Sequence, residues 1–524
     1  MRWLAILAAF LSVLLGASAA LAHASLIQSE PADRAVVAQP PPRLTLTFNE
    51  PVSPVALRLV QPDGNVIELK DVAAGGPTVA VALPSGLPRG THLLSWRVIS
   101  ADGHPVGGAL TFSVGQPSAA PSPLPIDGDT RLRGAIWLAR LVLYFGLFAG
   151  VGGAFYGCWI ATSPPSGRIG AAVTIVMECG LVAALVSFGL QGIDVLGLPL
   201  SDIRELRVWG SGLATAYGLT LCLAVATLVL GLASMSVKGP VARWLTVLAL
   251  AGVGFALAAS GHAATAGPAW VTRPAVFLHG IGVAFWVGAL LPLAASLQAG
   301  ADRSGLLRFS KAIPLPLLVL VVSGLVLAVI QVRQLDALWT TSYGVILCAK
   351  LVAVAALLAF AAANRRLTPR VSAGEAGAAQ RMFRSILAEL AIVAVVLGLV
   401  ASWRFTPPPR SLLAALAQPV HAHIHTEKAM ADLQIAAAGA DGRQIAIRLL
   451  DGEFRPLPAK EVMLVLSKPE AGIEPLRLAA TRVDTITWQI DGVRLPISGR
   501  WRARVEILIS DFEKIAIEDE IELR

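Results

Sequence analysis

Residues 312–332 read AIPLPLLVLVVSGLVLAVIQV, a run of twenty-one residues without a charged side chain. A helix of about twenty apolar residues is long enough to cross the roughly 30 Å hydrocarbon layer of a bilayer. Seven similar runs accompany it, and together they predict an eight-helix membrane domain over 132–404. The predicted spans are 134–161, 169–191, 210–235, 241–262, 273–297, 312–332, 342–363 and 383–404.

The composition of the whole chain agrees with a membrane protein. Its 524 residues are 55% hydrophobic and 15% charged, and the mean hydropathy is +0.68, which is too apolar for a soluble protein of this size. The net charge of +8 does not indicate nucleic-acid binding, because the Lys and Arg residues cluster in short loops between the apolar runs. The four cysteines lie inside those runs, so the flanking segments have no disulfide framework.

The loops between spans carry unequal positive charge, and this inequality predicts the orientation. One alternate set of loops holds eleven Lys and Arg residues and the other set holds four. Cytoplasmic loops are the positive ones in membrane proteins. Both flanking segments are therefore predicted outside the cytoplasm, in a multi-pass protein of a bacterial inner (plasma) membrane.

Residues 1–22 have the pattern of a secretory signal peptide. Arg2 precedes the apolar run Leu4–Leu15, and Ala20-Leu21-Ala22 forms a small-x-small cleavage site. An exported amino terminus followed by an even number of spans places both ends of the chain on the same outer side. This is the arrangement that the loop charges predict.

Residues 23–116 alternate between apolar and polar side chains, and turn signals such as Pro62-Asp-Gly64 and Pro88-Arg-Gly90 separate the runs. The pattern predicts a small, Ig-like β-sandwich of about seven strands. Residues 117–131 form a linker to the membrane domain.

Cleavage after Ala22 would make His23 the first residue of the mature chain. Its α-amine and imidazole could then chelate one metal ion. Asp102 and His104 are two residues apart and project from one side of an extended loop. The resulting set of three nitrogens and one oxygen suits Cu(II). The alternative is that the cleavage site merely happens to precede a histidine.

Three stretches of this domain resemble the periplasmic copper-binding protein family CopC. They are His23-Ala-Ser-Leu with Ser29-Glu-Pro-Ala-Asp33, Leu46-Thr-Phe-Asn-Glu-Pro51, and Trp96-Arg-Val-Ile-Ser-Ala-Asp-Gly-His-Pro105. The resemblance implies a Cu(II) site at the mature amino terminus, carried by His23, Asp102 and His104. Residues 24–116 contain no methionine, so no thioether Cu(I) site is predicted, and His92 is interpreted as a core or surface histidine.

Two histidines of the membrane domain are candidate ligands. Ligand-type residues inside a span are costly and therefore suspected of function. His262 ends the predicted fourth span and His279 lies one to two turns into the fifth, so both are predicted in the outer half of the membrane. The alternative for each is an ordinary histidine at a packed helix interface. Arg140, Glu178, Lys350 and Glu389 also fall inside spans and are predicted to face the bundle interior.

The order of several short motifs in the membrane domain resembles the CopD family of copper-resistance membrane proteins. The motifs are Ser260-Gly-His-Ala263, Leu278-His-Gly280, Phe285-Trp-Val-Gly-Ala-Leu290, Tyr343-Gly344, Cys348-Ala-Lys350 and Asn364-Arg365. The resemblance implies copper movement across the inner membrane toward the cytoplasm, with His262 and His279 as the residues on the path.

The segment 405–429, a linker, contains His421-Ala-His-Ile-His425. In an extended strand the imidazoles of His421, His423 and His425 line up on one side and could bind Cu(II), Zn(II) or Ni(II) as an exit-side or accessory site. The alternative is a solvated polar strand. Residues 430–524 alternate again and predict a second small β-sandwich, which weakly resembles YtkA-like domains.

These features predict a copper-binding membrane protein that captures Cu(II) at its exported domain and moves copper inward as Cu(I). The predicted partners are copper ions, the lipid bilayer and other periplasmic copper proteins, and nucleic acid is not expected to bind. The protein is not predicted to be an enzyme. One alternative is a haem protein that reduces copper, with His262 and His279 as axial ligands, although no CxxCH motif occurs. The other alternative is sequestration of copper without transport. No Walker motif is present, which argues against ATP-driven pumping.

Overall fold

The chain forms two compact units, one of membrane helices over 127–411 and one that unites the β domains of 23–126 and 412–524. The predicted signal peptide falls outside the residues that this computed structural model describes. Those residues are 24, 26–100, 103, 105–121, 130–162, 167–298, 303–416, 419–426, 428–438, 442–495 and 499–523.

The N-terminal domain is a β-sandwich, as predicted, with nine strands among its described residues. One sheet has the order β1-β3-β7-β6 and the other the order β2-β9-β8-β4-β5. Alternate residues of β3 and β8 point into the core, where Phe48 and Trp96 meet edge to face at 5.2 Å. The strands are β1 Leu26–Glu30, β2 Ala35–Val37, β3 Arg43–Phe48, β4 Val52–Val60, β5 Val66–Glu68, β6 Val72–Gly75, β7 Thr78–Ala82, β8 Gly90–Ser100 and β9 Pro105–Val114.

The C-terminal domain is also built of β-strands. Its sheet of eight strands runs in the order β10-β11-β12-β15-β14-β13-β16-β17. The edge strand β10 contacts the opposite edge strand β17, so the sheet curls into a barrel-like domain around the buried Trp501. The strands are β10 Val420–His425, β11 Ala429–Ala438, β12 Gly442–Asp451, β13 Glu461–Lys468, β14 Ile473–Arg482, β15 Thr487–Val493, β16 Gly499–Ser510 and β17 Glu513–Leu523.

Strand β10 joins the two β domains into one unit. Ile424 is fully buried in the C-terminal core, and Val420 and Ala422 pack against the same core. Because side chains alternate along a strand, the three histidines of β10 lie on its other face. The strand contacts β1 and β2 of the N-terminal domain, and an exposed ion pair between Arg34 and Asp519 (3.8 Å) also links the domains.

Eight helices among the described residues are long and apolar enough to cross a membrane, which confirms the eight predicted spans. A short amphipathic helix, Leu206–Leu213, precedes the third, which begins at Ala216 rather than at 210. The spans are α1 Thr130–Trp159, α2 Arg168–Leu196, α3 Ala216–Ser236, α4 Pro240–Ala259, α5 Ala269–Gln298, α6 Ser304–Val332, α7 Ser342–Ser372 and α8 Ala378–Ser402.

Helices α1 and α5 cross with their backbones in contact. A Cβ added to Gly152 would overlap the carbonyl oxygen of Ala284, and one added to Gly288 would overlap the backbone of Gly152. A π-helical segment, Gly146–Val151, directly precedes this crossing in α1. Small residues allow such close approach between membrane helices, so these glycines determine how tightly α1 packs on α5.

The prediction that Glu178 faces the bundle interior is wrong. Its neighbour Met177 is fully buried beneath Gly150 of α1, whereas Glu178 and Cys179 are exposed. Successive residues of an α-helix are rotated by about 100°. A helix that buries Met177 therefore turns Glu178 away from the bundle.

Candidate metal sites

The predicted ligands His23, Asp102 and His104 lie outside the described residues, but their flanking segments are well defined. Ala24, next to His23, is buried in the sandwich core at 1% exposure. Strand β1 then begins at Leu26, paired with Phe48 at the end of β3. Residues 49–51 lead from there to Val52, which pairs with Ser100 at the end of β8. The start of β1 and the end of β8 therefore lie at the same end of the sandwich.

A tight turn joins β8 to β9 at this end. The backbone N–H of Gly103 donates to the carbonyl oxygen of Ser100 at 2.9 Å, and Gly103 has a φ of +87°. Positive φ is easily adopted by glycine because it has no Cβ. Pro105 at the start of β9 pairs with Ile99 at the end of β8.

His92 is a core residue, in agreement with the interpretation that excluded it from the site. It is fully buried and stacks on Phe112, with ring centroids 5.3 Å apart. Its Nε2–H donates to the carbonyl oxygen of Pro88 at 2.9 Å. Burial lowers the pKa of His92, and its hydrogen bond to Pro88 and the charge of Asp63 oppose this shift.

His279 in α5 packs into a polar notch of α6. Its Nδ1 lies 3.2 Å from the carbonyl oxygen of Leu320 and 3.3 Å from Oγ of Ser323. A Cβ added to Gly324 would lie 3.1 Å from Cε1 of the imidazole, so the glycine leaves room for the ring. Because Nδ1–H donates to a carbonyl, Nε2 is the ring nitrogen that keeps a lone pair for a ligand.

His262 lies in the segment after α4, because the helix ends at Ala259 and Ser260 is extended. Its carbonyl oxygen accepts hydrogen bonds from Nε2 of Gln331 (2.8 Å) and from Nη2 of Arg410 (3.1 Å). Nε of Arg410 also donates to Oε1 of Gln331 at 2.8 Å. This network ties the segment to the end of α6.

Both membrane histidines thus contact α6, at different levels. Eight residues separate Ser323 from Gln331, which is about 12 Å along a helix at 1.5 Å per residue. The structure therefore brings His262 and His279 to one helix as successive positions. It does not bring them together with a third ligand, since the described residues contain no group of three or more His, Cys, Asp or Glu able to hold a metal.

Glu389 of α8 carries a buried carboxylate, at 2% exposure. Nδ2 of Asn364 in α7 donates a hydrogen bond to its Oε1. The Oδ1 of Asn364 is buried without a hydrogen-bond partner among the described residues. Glu389 forms no ion pair within that part of the chain. The prediction that it faces the interior is confirmed, and a buried carboxylate with no ion-pair partner among the described residues suits a cation.

The two predicted interior cations lie against aromatic rings. The guanidinium of Arg140 is 4.2 Å from the ring centre of Tyr217, and Nζ of Lys350 is 4.8 Å from that of Trp403. Such cation–π contacts stabilise a charge that has left water.

Sequence reasoning missed Ser323 and Gln331, both buried in α6. Both are isolated polar residues in the apolar run 312–332, and this isolation is a sequence signal for a buried polar contact. Their partners on α5 and after α4 could not be identified from the sequence.

Two of the three β10 histidines come together. The rings of His423 and His425 lie 6.2 Å apart and nearly parallel, at 14°. Nδ1–H of His423 donates to Oδ1 of Asp432 at 2.5 Å, and its Nε2 is buried without a partner among the described residues. Burial lowers the pKa of His421, although the charges of Asp432 and Glu30 act to raise it.

Comparison with known proteins matches two parts of the chain to family models. Residues 26–115 match the CopC domain, and residues 303–403 match Copper resistance protein D. The second match covers α6, α7 and α8, with Lys350, Asn364 and Glu389, and leaves out His262 and His279.

Similar proteins are found along the whole chain and at its N-terminal domain. The "Copper transport protein CutJ" of Bacillus subtilis (strain 168) is 25% identical, with 98% of each chain covered. "Copper resistance protein C" of Xanthomonas campestris pv. juglandis is 34% identical, covering 19% of this chain and 86% of that protein. The crystal structure of CopC from Methylosinus trichosporium OB3b is 26% identical over 20% of this chain and 100% of that one, with a TM-score of 0.17.

Proposed function

Because this chain belongs to the copper resistance and transport family, as a fusion of a CopC domain with a CopD region, we propose that it captures copper outside the cytoplasm and moves it inward. Cu(II) binds at the N-terminal domain, and an external electron donor reduces it to Cu(I). The membrane helices then pass Cu(I) toward the cytoplasm. The role is transport rather than catalysis.

The capture step rests on the end of the β-sandwich where β1 begins and β8 turns into β9. His23, Asp102 and His104 supply the α-amine, two imidazoles and a carboxylate there once the signal peptide has been removed. The register of β1, β3, β4 and β8 supports this site, since it places both flanking segments at one end.

The transmembrane step rests on a single observation: His279 is held in the polar notch of α6 with its Nε2 directed away from the hydrogen-bonded Nδ1. A bare cation in hydrocarbon is costly, so a path needs fixed ligands at successive depths. His262 is the outer position, His279 the next, and the Glu389–Asn364 pair follows.

The proposed orientation places both β domains on the periplasmic side of the inner membrane. Three features support it: the signal-peptide pattern, the charge difference between loops and the even number of spans. The packing of both β domains into one unit is compatible with it.

Copper accumulation in cells tests the path. His262→Ala and His279→Ala are expected to lower uptake strongly, whereas Glu178→Gln, an exposed in-span substitution, should leave it unchanged. Wild-type accumulation in both histidine variants would contradict the path. If the variants accumulate less copper but the purified protein shows a Soret band, haem-based electron transfer replaces the proposal.

The capture site has its own test. One alanine added before His23 of the mature chain blocks the α-amine from chelating, and Cu(II) affinity should fall by several orders of magnitude. The matched control is His92→Phe without the addition, which removes only a core histidine and should keep the wild-type Cu(II) affinity. Unchanged affinity after the addition would refute the chelate without touching the transmembrane step.

A further inference from the structure

We propose that His423 and His425 form a second copper site, specific for Cu(I), where strand β10 meets the N-terminal domain. This site is separate from the capture site and does not depend on transport.

The β10 imidazoles lie in an unusual place for an outward-facing side of a strand. The histidine face of β10 points away from the C-terminal core, where solvent would ordinarily cover it. The side chain of His423 is nevertheless only 5% exposed, and β10 contacts β1 and β2. The His423 ring is therefore in a dry environment where the strand meets the N-terminal domain, and a metal–ligand bond there meets little competition from water.

The His423 ring has one nitrogen bound to a carboxylate and the other without a partner among the described residues. Its Nδ1–H donates to Asp432 at 2.5 Å, an arrangement in which a carboxylate fixes the tautomer and the orientation of the ring. That other nitrogen, Nε2, is buried and has no hydrogen-bond partner among the described residues. Buried polar atoms are normally satisfied, so an orphan nitrogen with a prepared lone pair points to an absent ligand.

A second imidazole lies beside that of His423. His425 lies two residues further on the same face, with its ring 6.2 Å from that of His423 and nearly parallel. Two imidazoles on either side of one ion, with metal–nitrogen bonds of about 2 Å, have centres about 6 Å apart. The stacked rings already have this spacing, and turning their planes toward each other brings one nitrogen of each ring to a shared ion.

The number of ligands selects the metal. Structural Zn(II) takes four protein ligands, and Cu(II) favours a tetragonal set. The described residues offer no third His, Cys, Asp or Glu at this place. Cu(I) is satisfied by two nitrogen ligands, and the carboxylates of Asp432 and Glu30, which both interact with the adjacent His421, add negative charge that attracts a cation.

The experiment uses the full-length protein in detergent, anaerobically, with Cu(I) supplied against a competing chelator. His423→Ala and His425→Ala should each lose one bound equivalent. Asp432→Asn should weaken that equivalent at least about tenfold, as the loss of a partner to a metal-bound histidine does. His421→Ala is the matched control on the same strand face and should retain the full stoichiometry.

X-ray absorption reads the ligands of the bound copper directly, in the wild-type chain and in a variant that is shown to be folded. A Cu(I) signal with two nitrogen neighbours that disappears in the folded His425→Ala variant supports the site. Full Cu(I) stoichiometry in both alanine variants, sulfur ligation in the wild type, or preferential retention of Zn(II) would overturn it.

Discussion

Replacing Glu389 by glutamine separates the charge of this residue from its packing. In the native protein Nδ2 of Asn364 donates to Oε1 of Glu389, and Oδ1 of Asn364 is left without a partner among the described residues. A glutamine keeps the acceptor and adds an N–H that can donate to Oδ1 of Asn364. One additional hydrogen bond contributes about 1 kcal/mol, so the Glu389→Gln protein should be at least as stable as the wild type.

Glu389→Ala provides the structural comparison. It leaves the Asn364 amide unsatisfied, which costs about 1–3 kcal/mol, and it removes one buried methylene at about 0.8 kcal/mol. The expected loss is about 2–4 kcal/mol, visible as a lower thermal midpoint in detergent. The glutamine variant should not show this loss.

The assay is copper uptake into proteoliposomes containing each variant at equal protein content. Because a neutral amide cannot balance a passing cation in hydrocarbon, Glu389→Gln should reduce uptake at least about tenfold while its thermal midpoint stays at or above the wild-type value. Glu178→Gln is the control for removing an in-span carboxylate. Wild-type uptake by the Glu389→Gln protein would refute the reasoning.

Three other predictions concern stability. Gly288→Ala forces a Cβ into the facing backbone of α1 and should cost about 3 kcal/mol or more in thermal unfolding, whereas Gly134→Ala, which has open space, should be neutral. His92 has a lowered pKa, so the unfolded state takes up its proton first on acidification. Stability should be unaffected by His92 above its ordinary pKa of 6.5 and should fall below that pH by up to about 1.4 kcal/mol per unit. The thermal midpoint of His92→Phe should therefore drop less between pH 7.5 and 5.5. Gln331→Ala removes one hydrogen bond to Arg410 and one to the carbonyl oxygen of His262, so backbone hydrogen exchange in the segment after α4 should become faster. Unchanged exchange would contradict the attachment of this segment to α6.

Long apolar runs and strict alternation made most of the fold predictable. The run at 312–332 corresponds to the end of α6 at Val332, because twenty apolar residues have few other stable states in a membrane protein. The alternation of 23–116 predicted a sandwich, since inward-facing apolar residues of two sheets must cover each other. The third span was placed too early, because Leu206–Leu213 is apolar on one side and continues the hydrophobic pattern without belonging to the span.

The candidate sites were less predictable, because side-chain pairing depends on tertiary contacts. The sequence showed that Glu389 falls inside a span, but the partner Asn364 lies twenty-five positions earlier on another helix. Glu178 also falls inside a span, but its side chain is exposed, because the position of a residue within a span does not determine which side of the helix it occupies. The even spacing of the β10 histidines predicted a shared face correctly, whereas the role of Asp432 required the register between β10 and β11.

The union of the first and last domains through β10 has a consequence for biogenesis. The ribosome makes the N-terminal domain first and β10 about 300 residues later, which at about 5–20 residues per second is a delay of roughly 15–60 s. During that interval β10 is not yet available to pack against β1 and β2, while the eight helices are inserted into the bilayer. Once β10 and the C-terminal domain have been synthesised, β10 packs against β1 and β2, and the two β domains form one unit.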